Sequence, residues 1–84
     1  MTGWDPMKEK MTMEIYRGYT IESLPVRKPG NRWAVSVEIH GTEDGRTTNR
    51  IFHADDGIEY LLEVEAAKEG INLARNLIDR GLVG

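Results

Sequence analysis

Cysteine is absent from the 84 residues, which excludes disulfides, thiolate metal sites and thiol catalysis and leaves the redox compartment unreadable from thiol usage. Aromatic residues are sparse at 7%, with a single Phe. No run approaches the ~20 apolar residues of a membrane-spanning helix, and residues 1–10 hold no apolar core of the signal-peptide kind. A cytoplasmic location with no membrane partner is therefore expected. Basic charge is in deficit: 11 Lys and Arg against 14 Asp and Glu give a net charge of −3 and a pI near 5.3. Such a chain has no general attraction for nucleic acid, and binding would need a local basic patch.

What is present describes one small domain. With 39% hydrophobic and 30% charged residues, the chain has room for a single core. Residues 1–12 are polar and without period apart from Trp4 and the clustered Met1, Met7 and Met11; they read as a mobile leader, which leaves residues 13–84 as the domain. Apolar and β-forming residues between 14 and 26 indicate a first strand whose phase slips, either at a bulge near Gly18 or around Ser23-Leu24-Pro25. A turn follows at residues 27–31. Trp33, Val35, Val37 and Ile39 then alternate with polar partners in the clearest strand, with Trp33 as its core anchor. A turn at residues 41–45 leads to a third strand over 46–54. A five-residue loop there pairs Trp33 with His53, whereas a four-residue loop pairs Trp33 with Phe52. Phe52 inward is preferred, because the other register puts Asn49 and His53 in the core.

Residues 63–80 sort into two faces at helical period, with Glu63 and Glu65 suited to the positive end of the helix and Gly81 suited to its stop. Small residues at Ala67, Gly70 and Ala74 predict a close approach of helix to sheet. The expected architecture is α+β: a three-stranded antiparallel meander with one C-terminal helix packed on one face, in the order β-β-β-α. The apolar arc is wider than a surface helix needs, and it marks Ala66, Leu73 and Leu77 as the place for a contact within the monomer or with a second copy.

The run Tyr16-Arg17-Gly18-Tyr19-Thr20-Ile21, with Trp33, Phe52, Glu65-Ala66-Ala67, Gly70, Ala74 and Ile78-Asp79, resembles a group of short bacterial proteins of unassigned function. The resemblance covers residues 15–79 and implies a layout similar to part of the double-stranded-RNA-binding fold. It implies no activity.

Arg27, Lys28 and Arg32 form the one candidate basic patch, with Arg46 and Arg50 at a different turn. Glu63, Glu65 and Glu69 surround the single Lys68 where an RNA-binding helix of that layout carries lysines, so phosphate is repelled there. His40 and His53 are separated by most of a strand, which argues against a shared metal ion, and Glu43 with Asp44 is ordinary turn chemistry. The sequence shows no Ser–His–Asp spacing, no phosphate-binding loop and no dinucleotide fingerprint. The expectation is a non-enzymatic protein-interaction or self-associating module without metal or cofactor. The alternatives are an antitoxin-like regulator and a weak nucleic-acid binder.

Overall fold

The structure is a computed structural model and describes residues 13–54 and 56–83; the expected leader, with Trp4, and Asp55 lie outside them. Among the described residues seven strands and one helix are formed: β1 (Met13–Tyr16), β2 (Tyr19–Ser23), β3 (Val26–Lys28), β4 (Arg32–Ala34), β5 (Ser36–Glu43), β6 (Arg46–His53), β7 (Glu59–Tyr60) and α1 (Glu63–Asp79). They make a four-stranded antiparallel sheet in the order β1-β2-β5-β6 and a three-stranded sheet in the order β3-β4-β7. The α+β class holds, but the three-stranded β-β-β-α layout is corrected to two sheets and one helix.

A tight turn at Arg17-Gly18 and a break at Pro25 account for the difference. Arg17 and Gly18 have φ of 49° and 85° and join Tyr16 to its cross-strand partner Tyr19, the two-residue hairpin geometry in which both central residues are left-handed. Gly18 therefore reverses the chain, where a bulge was one of the expectations, and the expected first strand splits into a hairpin. An arginine at positive φ costs about 1 kcal/mol, and its side chain is held by an ion pair to Asp79 at 2.8 Å. The second tight turn is Asp44-Gly45, with φ of 52° and 77°. It pairs Glu43 with Arg46, so the loop has two residues where four or five were expected. Gly41 belongs to β5, where a Cβ would come within 2.8 Å of the Tyr19 ring.

The small sheet follows from Pro25. The register places this residue, which has no N–H to donate, opposite Val35 between the β2–β5 and β3–β4 ladders. Both strands bend there and continue as a separate hairpin, to which Tyr60 adds by pairing with Trp33. Trp33 is thus half-buried in the small sheet, and the core anchor expected of it is supplied by other residues. Ile21, Val37 and Ile39 are 0–1% exposed and pack with Ile71 and Ala74. Phe52 faces inward as preferred, opposite Val37, while Ile51 points out.

The helix crosses the sheet at its small residues. A Cβ on Gly70 would stand 2.1 Å from Ser23 Oγ and 3.3 Å from the Ser36 carbonyl oxygen, so only glycine allows this approach without displacement. Ser23 Oγ is buried there without a hydrogen-bond partner. At the other end, Gly81 (φ 69°) donates its N–H to Ile78 O while Leu82 donates to Leu77 O at 2.9 Å. This paired closure ends the helix and turns Val83 back into the core.

Candidate functional site

Strand alternation and register divide the four-stranded sheet into two faces. Glu14, Tyr16, Ile21, Ile39, Phe52 and their row mates lie under the helix. Edge strand β1 is tied to it by the Arg75 guanidinium, which donates two hydrogen bonds to the Glu14 carboxylate, and by the Tyr16 hydroxyl, which donates to Asp79 at 2.9 Å. The Glu14 bonds hold the Arg75 cation above its ordinary pKa. Arg17 is likewise raised, first by the Tyr16 hydroxyl and then by the Asp79 charge.

The opposite face carries two adjacent rows. One runs Met13, Glu22, Glu38, Ile51 and the other Ile15, Thr20, His40, Asn49. Among the described residues no element lies over it, and Ile15 is 79% and Ile51 57% exposed. Glu22 and Glu38 stand directly opposite each other on neighbouring strands, an arrangement in which like charges destabilise a sheet. His40 completes the cluster: one ligand atom from each of the three residues lies within 4.8 Å of the others. Nε2 of His40 is 3.4 Å from Glu38 Oε1 and 3.9 Å from Glu22 Oε1, beyond the ~2.7–3.2 Å of an N–H to O hydrogen bond. Its other ring nitrogen, Nδ1, is 2.6 Å from Asn49 Oδ1. In the tautomer that donates from Nδ1 to this amide oxygen, Nε2 is the atom presented to the carboxylates.

This cluster was missed in the sequence, although Glu38 and His40 stand two apart in its clearest strand and so share a face. Glu22 joins them only through the β2–β5 register. The two histidines are apart, but by half of β6 where most of a strand was expected: His53 lies four residues beyond the His40 partner Asn49, about 13 Å at ~3.3 Å per residue.

The other singled-out residues do not converge. Ala66 is 0% exposed and unavailable to a partner, while Leu73 and Leu77 are half-buried and packed on the core. The wide apolar arc is thus largely used within the chain. Lys28 and Arg32 are adjacent across β3–β4, but Arg27 sits one residue out of phase beside Trp33 and donates to Asn31 at 2.8 Å. Arg46 and Arg50 lie in register with the helix-side rows of β5. A depression of about 360 Å³ is lined by Val26, Lys28, His53, Ile58 and Glu59 among others; the Ala54 N–H donates to the Val35 carbonyl oxygen in its wall, and no side-chain hydrogen bond links its polar groups among the described residues. A smaller one beside it is lined by Tyr60 and Glu69. There burial first, and then Glu69, Asp56 and Glu65, raise the Tyr60 phenol above its ordinary value.

No family model, curated protein or solved structure matches the chain. No described helix is long and apolar enough to cross a membrane.

Proposed function

We propose that the chain is a non-enzymatic interaction module that presents the uncovered face of its four-stranded sheet to a protein partner or a second copy. The observation that carries this reading is the exposure of Ile15 and Ile51 on that face, apolar side chains on its two outer strands that would gain burial against a docked surface. The β6 edge adds eight residues of backbone open to strand pairing among the described residues. Against nucleic acid stand the split basic residues and the acidic first turn of α1, with Glu63 and Glu65. Against catalysis stands the lack, among the described residues, of a nucleophile hydrogen-bonded to a base in either depression.

The test replaces Ile15 or Ile51 with a photo-cross-linking amino acid in the native cell, with Lys68 on the exposed helix face as the comparison position. Sedimentation of the purified chain runs in parallel. Cross-links, to self or to a partner, are expected at positions 15 and 51 and not at 68, and Ile15→Ser with Ile51→Ser should abolish any self-association. A monomer at all concentrations with no adduct specific to positions 15 and 51 would sink the proposal.

A further inference from the structure

The uncovered face also sets two carboxylates against each other beside an imidazole. Glu22 and Glu38 are held opposite each other on β2 and β5, the two inner strands of the sheet. The carboxylates are only 39% and 21% exposed by side chain, because Met13 and Ile51 stand at the two ends of their row. Partial burial beside apolar walls strengthens the repulsion between them. No lysine or arginine of the four-stranded sheet is on this face: Arg17 is engaged with Asp79 of the helix, and Arg46 and Arg50 belong to the other rows.

His40 is built to meet that charge in one particular way. Asn49 Oδ1 stands 2.6 Å from Nδ1 and fixes the ring, which directs Nε2 toward two carboxylate oxygens. Three donor atoms that converge from two strands offer a cation three ligands at one point. The separations suit such a cation. Ligand bonds of ~2.0–2.2 Å in a tetrahedron place neighbouring donor atoms about 3.4 Å apart, against the 3.4 Å and 3.9 Å found here. An imidazole whose second nitrogen donates to a side-chain oxygen is also the usual supporting arrangement of a metal-bound histidine.

We infer that Glu22, Glu38 and His40 form a binding site for one divalent transition cation of the zinc type, positioned by Asn49 and with its remaining coordination directed away from the sheet. Two carboxylates and one imidazole match the ligand preferences of zinc or cobalt(II) better than those of calcium, which takes 6–8 oxygens. The site sits on paired inner strands, so its ligands are pre-positioned by the fold. It requires no docking partner, and its test is independent of the interaction proposed above.

The experiment uses the tag-free full chain stripped of metal. It is titrated with Co²⁺, whose visible absorption reports tetrahedral coordination, and with Zn²⁺ by calorimetry. One ion per chain is expected, with a zinc-dependent shift of the His40 Nε2 resonance in ¹⁵N NMR. His40→Ala and Glu38→Gln should each weaken binding about 100-fold, and Asn49→Ala about tenfold, in line with the loss of a ligand or its supporting contact. His53→Ala, on the same face one row beyond the Glu22–Glu38 row, should leave it unchanged. Glu38→Gln keeps the side-chain shape, and circular dichroism verifies that each variant is folded. Lack of saturable binding, equal binding by the His40→Ala variant, or an equal loss in the His53→Ala variant would overturn the site. So would an Nε2–H proton that persists when zinc is added, because His40 would then be an imidazolium neutralising the glutamates itself.

Discussion

On the helix side of the four-stranded sheet, Ile21, Val37 and Ile39 are buried to 0–1% exposure, and a glycine brings the helix backbone against Ser23 and Ser36. On the other side, one strand spacing away, Ile15 is 79% exposed beside a row in which two glutamates face each other. The same backbone supports both faces, so the contrast belongs to the side chains. The covered face is organised by volume, with small residues where the helix crosses and branched residues where it does not. The open face is organised by charge and by apolar residues at its margins, and it holds the arrangements that folding alone does not explain.

The largest effect expected separates the faces directly. Ile39→Ala should cost about 3 kcal/mol, from lost burial plus an unfilled cavity, whereas Ile15→Ala on the open face should stay within about 0.5 kcal/mol. Urea denaturation of the two variants measures the gap. Comparable losses would mean that the open face is covered in solution.

Next in size is the helix crossing. Gly70→Ala gains about 1 kcal/mol in helix propensity but should still lose about 2 kcal/mol net, because its new methyl meets Ser23 and the Ser36 carbonyl. Ser23→Ala removes a buried hydroxyl without a partner and should stabilise by up to about 1 kcal/mol. In that background the Gly70→Ala cost should fall below about 1 kcal/mol, a coupling that a double-mutant cycle reads. Strict additivity of the two changes would show that the crossing has moved.

Much of the covered face is legible in the sequence, and most of the open face is not. The helix, its acidic start, its glycine stop and the inward turn of Phe52 all follow from local period and composition. The sheet count does not, because it depends on the Arg17-Gly18 turn and the break at Pro25. Arg17-Gly18 departs from the Asn-Gly or Asp-Gly pairs that usually announce such a hairpin, and its stability comes from Asp79, 62 residues further along the chain. Pro25 signals a break correctly, but not that β4 and β5 part at the same level and create a second sheet. The cluster of Glu22, Glu38 and His40 is less legible still. Glu38 and His40 share a face by simple alternation, yet bringing Glu22 to them requires the β2–β5 register, which depends on the hairpin that composition concealed.

A smaller effect concerns how edge strand β1 is held to the covered side. Arg75→Ala removes the paired hydrogen bonds to Glu14 and the cation stacked over Tyr16 at 5.7 Å. Because β1 has one neighbouring strand among the described residues, its amides should lose hydrogen-exchange protection while those of β5 keep theirs. Uniform loss across the sheet would mean that Arg75 supports the whole core rather than the edge alone.

The smallest effect carries the most information about the open face, because its sign depends on the solution. In metal-free buffer Glu38→Gln relieves the opposition of Glu22 and Glu38 and should raise stability by a few tenths of a kcal/mol. Added salt screens the wild-type repulsion, so the advantage should shrink as ionic strength rises. With zinc present the order should reverse: the wild type binds the ion in its folded state and is stabilised by mass action, and the variant is not. Had His40 been carrying a positive charge between the glutamates, Glu38→Gln would instead destabilise the metal-free chain by removing an ion-pair partner. A loss of stability in chelator would therefore assign the cluster to internal neutralisation, and a gain that zinc inverts would assign it to the cation.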